Sequence, residues 1–368
     1  MLLAWLVVLS AALPPGSILG LASAGADEVG GDPSSSMSSG AETTAIRLND
    51  GNSMPRIGLG VHQARPGRET YDAVRDAILE HGYRLVDTAA VYQNEADVGA
   101  AIRDVGGRKR ERVFVTTKLD SDSHGYHRAI AAAEDSLRRL NLTHVDLLLI
   151  HSPFGGKIVE TWDALLYLRR VGKAKSIGAS NFGVKHLEAL RLHGRPPPAV
   201  NQIEMHPLIY RERLDLVEYC NRHSIAITAY GSLFYGRTHR FDHPAIRGIV
   251  DRHGNKKTAA QVLLRWALEH GFAVIPKTTS SKQRLAENFD VFDFRLSPEE
   301  LSALDDMDGE PLGAYWNPVD DAGVDLGDVD SYYYDSGDRE GGASSMWQAP
   351  EDEEGEESAS SAAKADEL

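Results

Sequence analysis

Cysteine is nearly absent from this chain: Cys220 is the only one in 368 residues. That excludes an internal disulfide, a Cys-x-x-Cys redox pair and a multi-cysteine zinc site. An excess of basic residues is also lacking. The net charge is −15, which is not the footprint of a nucleic-acid binder. Neither a G-x-S-x-G elbow nor an H-E-x-x-H pair occurs, so serine-hydrolase and zincin chemistry have no carrier, and no metal is expected. The dinucleotide fingerprint G-x-G-x-x-G is missing as well. Its nearest approach, "GLGVHQA" (58–64), has Gln63 where the third glycine belongs and opens no immediate helix.

What is present sorts by position. Residues 319–368 carry a charge of −14 and residues 1–40 a charge of −3, leaving +2 for the stretch between. The acidity belongs to the ends. At the N-terminus, Leu2 to Leu13 is an apolar run of signal-peptide length, broken by Pro14-Pro15-Gly16, with small residues at 22–26. Residues 1–26 are read as a cleaved signal, the alternative being an uncleaved anchor, which the double proline opposes. Residues 27–45, rich in Gly, Ser and Asp, are expected to be a disordered lead-in. Residues 319–368 are acidic, small and aperiodic, the composition of a disordered tail. That tail reads either as a solvated spacer or as a weak cation buffer. It ends in Ala-Asp-Glu-Leu (365–368), similar to the Lys-Asp-Glu-Leu address of the endoplasmic reticulum (ER). These ends predict residence in the ER lumen, with a retention receptor as partner, or secretion, and no membrane span after cleavage. Asn141-Leu142-Thr143 is a glycosylation sequon on that route, modified or not.

Residues 46–318 alternate strand-like and helix-like segments. Short β-rich runs occur at 56–61, 84–89, 113–118, 145–151, 174–180, 199–205, 226–232 and 272–277. Their near-continuous hydrophobicity suits parallel strands covered on both faces. Amphipathic stretches such as "TYDAVRDAILEHG" lie between them. Eight strands with this alternation predict an α/β fold, a (β/α)8 TIM barrel, followed by the acidic tail. "SPEELSALDDM" (297–307) reads as a further helix with Ser297 as cap and Glu300 three residues on.

Polar residues at the C-terminal ends of barrel strands point into a common site. The second, third and fourth strands end in Asp87, Lys118 and His151, and Tyr92 follows Asp87 by five residues. One buried charge could be a satisfied structural group. Three at successive strand ends, with a tyrosine in reach, point to a site. Tyrosine has an ordinary pKa near ~10. A lysine beside it is expected to lower that value, with Asp87 orienting the lysine and His151 hydrogen-bonding a carbonyl oxygen. Such a group protonates an oxygen while a nucleophile attacks the carbon.

The ordered motifs "VDTAAVYQNEADVG", "VTTKL", "LLLIHSP", "IGASNFG", "NQIEMHP", "AYGSL" and "IPKTTSSKQRLAENFDVF" resemble those of the aldo-keto reductases, from about Met54 to Asp308. The resemblance implies a monomeric barrel that binds NADPH and reduces aldehydes or ketones, with hydride from the nicotinamide and a proton from Tyr92. It makes Asp87, Tyr92, Lys118 and His151 the catalytic tetrad. It assigns Ser180, Asn181 and Gln202 to the carboxamide, and Tyr230 to stacking on the nicotinamide. Lys277, Thr278 and Arg284 fall to the 2′-phosphate, Glu287 and Asn288 to the adenine. From Lys277 to Arg284 the spacing is one residue longer than the common pattern. The branch resembled is the short-loop diketogluconate and methylglyoxal reductase type.

Three positions depart from that branch. His62, Asp120 and Ser152 stand where tryptophan is common, at the first, third and fourth strand ends. They are expected to line a wet pocket mouth that favours small polar carbonyls, with Trp316 of "GAYWNP" restoring aromatic cover. The rival reading is a cofactor-binding regulatory or scaffold barrel with little turnover.

Overall fold

The computed structural model describes residues 44–106, 113–279, 281–307 and 316–325. The signal-like run, the lead-in to residue 43 and the tail from 326, with its terminal Ala-Asp-Glu-Leu, lie outside the described residues.

Eight parallel strands follow one another around a single sheet: β3 (Leu59–Gly60), β4 (Leu85–Asp87), β5 (Phe114–Leu119), β6 (Val145–Ile150), β7 (Ala174–Ser180), β8 (Val200–Glu204), β9 (Ala226–Tyr230) and β10 (Ala273–Val274). Parallel bridges Ile57↔Val274 and Gly60↔Lys277 join its first strand to its last, so the sheet closes. The expected (β/α)8 barrel is therefore the fold. Each strand lies inside the run that its hydrophobicity marked out, apart from β5, which extends one residue further to Leu119.

Two apolar layers account for the long uncharged strands. Along β6, Leu147 and Leu149 belong to one cluster while Leu148 and Ile150 belong to another. The smaller cluster, with Leu85, Phe114, Val200 and Ile275, fills the barrel, and the larger one lies beneath the helices. A side-chain period of two produces this division.

A hairpin precedes the barrel, made of β1 (Ala45–Arg47) and β2 (Ser53–Pro55), paired antiparallel. It closes the N-terminal end of the barrel. Met54 and Leu48 join the interior cluster, Asn49 donates to Pro198 O (2.8 Å) and Asn52 to Ser176 Oγ (3.0 Å). With the bottom plugged, the open end is the one where the strands finish.

The packed chain also runs past residue 319, where the acidic tail was expected to begin. Pro318–Asp321 is a helical turn and Val319 and Ala322 are buried. Composition alone missed this because the anchoring groups lie elsewhere in the chain. Among the described residues no helix is long and apolar enough to cross a membrane.

Candidate active site

The first turns after β4 and β5 bring the polar groups together. Along β5 successive side chains face opposite ways. Thr117 Oγ1 donates outward to Glu95 (2.6 Å), so Lys118 faces the barrel axis. There Lys118 Nζ is fully buried and donates to Asp87 Oδ1 (2.5 Å), Thr88 O (3.0 Å) and Tyr92 Oη (3.3 Å). Asp87 also accepts from Gln202 Nε2 (2.7 Å), so both of its oxygens are engaged.

Tyr92 sits on a 3₁₀ turn, Ala90–Tyr92, that Gln93 ends in the left-handed region (φ 58°). Behind it Asn94, fully buried, accepts from Thr88 Oγ1 (2.8 Å) and donates to Val61 O (3.0 Å). Thus Thr88 and Asn94 fix the turn that carries the tyrosine. Sequence reasoning missed both, although Thr88 and Asn94 lie inside the motif that supplied Asp87 and Tyr92. The Tyr92 ring packs between His62 (centroids 4.9 Å) and His151 (5.7 Å, edge-on).

Burial raises the Tyr92 pKa above its ordinary value, while Lys118 pulls it down. The expectation that Lys118 lowers it is corrected: burial is the larger effect, and Asp87 cancels part of the lysine's field. Burial works against the Lys118 charge, but Asp87 and Tyr92 outweigh it and its pKa is raised. Burial, aided by Lys118 and His62, holds His151 at about 3. Its imidazole is therefore neutral at ordinary pH. Tyr92 keeps its proton, Lys118 its charge, and His151 can donate one hydrogen bond.

These groups open onto a cavity of about 670 Å³. Asp87, Tyr92 and His151 line it, and so do Ser180, Asn181, Gln202, Tyr230, Lys277, Thr278, Arg284, Glu287 and Asn288. The longer spacing does not carry Arg284 away from Lys277. Ser180 Oγ donates to Gln202 O (2.8 Å), and Asn181 Nδ2 donates to His151 O (2.9 Å). Tyr230 Oη donates to Asn181 Oδ1 (2.5 Å) on the same wall.

The far end of the cavity suits an anion. Thr278 Oγ1 is buried without a hydrogen-bond partner, a cost that a ligand oxygen would remove. Lys277 is exposed beside it, and the helix Lys282–Phe289 begins there with Ser281 as cap. Glu287 is already held by Thr258 Oγ1 (2.6 Å). The donor set thus fits a phosphate-bearing cofactor.

The pocket mouth differs from expectation at two places. His62 lines the cavity, but Asp120 and Ser152 do not. Asp120 accepts from Ser123 Oγ (3.0 Å), and Ser152 is buried against Ser121 Oγ (3.1 Å) while capping the turn Pro153–Gly155. Short side chains at those positions are used up by local turns. In their place Phe154 and Trp316 meet at the rim (centroids 5.8 Å), and Trp316 stands edge-on to His151 (6.2 Å). Sequence reasoning also passed over Glu204, a buried carboxylate of "NQIEMHP". It accepts from Tyr235 Oη (3.2 Å) and lies 3.1 Å from His206 Nε2.

Comparison with known proteins gives a consistent picture. Residues 56–308 match the profile of the Aldo/keto reductase family. Methylglyoxal reductase DkgA of Escherichia coli is 42% identical over 276 residues, covering 74% of this chain and 97% of that protein. Glyoxal reductase of Bacillus subtilis is 41% identical over 260 residues, covering 71% and 91%. Among solved structures, a Bombyx mori aldo-keto reductase in complex with NADP matches with a TM-score of 0.65 and 36% identity, over 71% of this chain and 91% of that one. A mutant of Gox0644 in complex with NADPH matches with a TM-score of 0.67 and 40% identity, over 75% and 97%.

Proposed function

This chain belongs to the aldo/keto reductase family, and we propose that it reduces an aldehyde or ketone to an alcohol with NADPH, Tyr92 giving the proton. One observation carries the reading: Lys118 Nζ joins Asp87 and Tyr92 at the floor of a cavity that His151 also lines. Bound NADPH supplies hydride to the carbonyl carbon. Burial keeps Tyr92 protonated and ready to donate to the developing alkoxide, and the Lys118 charge stabilises the phenolate left behind. Asp87 holds Lys118 charged and in place. Neutral His151 donates to the carbonyl oxygen and orients it.

Ser180, Asn181 and Gln202 would hold the carboxamide, and Tyr230 would stack on the ring. Lys277, Thr278 and Arg284 would take the 2′-phosphate, with Glu287 and Asn288 at the adenine. The lone Thr278 hydroxyl and the two cations support NADPH over NADH. The test follows NADPH oxidation across a panel of carbonyls, with Tyr92→Phe as control. Wild type turns over and Tyr92→Phe loses about 10²–10⁴ in kcat, the range of a general acid. Equal inertness of the two with NADPH still bound would mean a scaffold barrel.

For location we propose the ER lumen, as a glycoprotein. The apolar run at 2–13 and the terminal Ala-Asp-Glu-Leu support it. On that route Asn141, exposed just ahead of β6 at the end of the barrel opposite the cavity, would be open to a glycan. Deleting 365–368 from a chain tagged upstream of the tail should release it to the medium, and unchanged localisation would remove the idea.

A further inference from the structure

Behind Lys118, outside the cavity, lies a buried carboxylate that plays no part in the chemistry above. Glu95 is 1% exposed and opens the helix Glu95–Asp104, three residues after Tyr92. Its Oε1 accepts from Thr117 Oγ1 (2.6 Å), and its Oε2 accepts from Arg139 Nε (2.7 Å). Arg139 belongs to the helix Tyr126–Leu140 and also donates to Ser136 Oγ (3.1 Å). Charge-assisted contacts of this length are the strong kind of hydrogen bond.

Burying a carboxylate is costly, and a buried ion pair adds little net stability over apolar side chains of similar volume. Stability therefore does not account for Glu95. What it supplies is register. Thr117 precedes Lys118 on β5, so the Thr117 contact fixes that strand against the helix that follows Tyr92. Between Tyr92 and Glu95, buried Asn94 ties the same turn to Val61 O (3.0 Å) and Thr88 Oγ1 (2.8 Å). The two helices are pressed together, since a Cβ at Gly99 would lie 2.0 Å from Leu140 O, beside Arg139. Strand, turn and both helices thus converge on one side chain.

The contact most sensitive to this register is the longest that Lys118 makes. Its Nζ lies 2.5 Å from Asp87 Oδ1 and 3.0 Å from Thr88 O, but 3.3 Å from Tyr92 Oη. A few tenths of an ångström more would end that hydrogen bond. The charges acting on Tyr92 are Lys118 and Asp87, not Glu95, so Glu95 acts through position.

We infer that Glu95, seated by Arg139, is a positioning residue for proton donation: through Thr117 it holds Lys118 and Tyr92 within reach of each other. The inference rests on the carbonyl-reducing reading above and concerns residues that line no part of the cavity.

Thr117→Val removes the hydroxyl, nearly keeps the shape and leaves the Glu95–Arg139 pair in place. The readout is the single-turnover rate of NADPH oxidation by the full chain, per site that binds NADPH, with methylglyoxal or the best carbonyl of the panel above. Thr117→Val should lower that rate about tenfold with the Kd for NADPH unchanged, since a small misplacement of reacting groups can cost about a hundredfold. The solvent deuterium isotope effect on the same rate should rise, because proton donation is the step impaired. Thr117→Ser should restore most of both. Arg139→Met, at a side chain 44% exposed, should act in the same direction by a smaller factor.

A wild-type rate in Thr117→Val would overturn the positioning role, even if Tm fell, because the cluster would then be a structural clamp only. So would a Thr117→Ser variant as slow as Thr117→Val. A wild-type rate in Arg139→Met, with a lowered one in Thr117→Val, would overturn the part given to Arg139. Should wild type reduce no carbonyl at all, the parent reading fails. The NMR resonance of Tyr92 Cζ in isotope-labelled protein, identified by its loss in Tyr92→Phe, then decides the placement. Movement in Thr117→Val that Thr117→Ser reverses supports it, and no movement overturns it.

Discussion

At Tyr92 two opposing effects fix the proton, and their order decides the pH behaviour. Burial raises its pKa above the ordinary tyrosine value, and Lys118, weakened by Asp87, only partly offsets this. The acid form is fully present below that raised pKa and is lost only as pH climbs through it. His151, held at about 3 by burial, stays neutral above that value. We therefore expect kcat/KM for carbonyl reduction to be flat from about pH 6 to about pH 10, because neither group titrates there. The reverse oxidation needs the phenolate and should rise with pH across that range. A reductive profile that falls with a midpoint below about pH 9 would show that Lys118 outweighs burial after all. The identities of these residues were legible because charged side chains at strand ends interrupt otherwise apolar runs. The sign of the Tyr92 shift was not, since it depends on how completely the ring is enclosed. Asp120 and Ser152 misled for a related reason: a polar letter at a strand end does not say whether a turn will consume it.

Where helices meet, local preference can lose to packing, and Gly99 is the clearest case. It lies inside the helix Glu95–Asp104, where alanine would ordinarily be better by about 1 kcal/mol. Here a Cβ would lie 2.0 Å from Leu140 O, a carbonyl that also accepts from Arg103 Nη1 (3.1 Å). Backbone that is already hydrogen-bonded cannot yield as a side chain would, and overpacking costs about 1–3 kcal/mol. Gly99→Ala should therefore destabilise the fold by up to about 2 kcal/mol net, read as a lower urea midpoint with an unchanged slope. A midpoint equal to or above wild type would show that the two helices can separate freely. Period and caps located most elements from the sequence, including Ser297 and Glu300, which form the expected capping box. The hairpin Ala45–Pro55 was less legible, because its burial comes from strands distant in the chain. The turn Pro318–Asp321 was missed for the same reason, its partner Arg213 lying over a hundred residues away.

Closing the sheet through Ile57↔Val274 and Gly60↔Lys277 makes the ends of β3 and β10 one wall, so the cofactor end of the cavity exists only in the folded barrel. A ligand that binds there and not to the unfolded chain stabilises the whole molecule, by about 2.7 kcal/mol at a hundredfold excess over its Kd. For a barrel of this size that is a rise in Tm of roughly 5 °C. NADPH and NADH differ only in the 2′-phosphate, which would face Lys277, Arg284 and the unpartnered Thr278 hydroxyl. At equal low-micromolar concentration NADPH should raise Tm and NADH should barely do so. Lys277→Met should narrow the difference from the NADPH side alone. Lys277 is exposed, so added salt should narrow it too, as screening shortens the reach of a surface charge to about 8 Å at physiological ionic strength. Equal shifts from the two cofactors in wild type would mean that these cations do not read the phosphate. A gap that survives both Lys277→Met and high salt would place recognition on buried Thr278 and its neighbours instead.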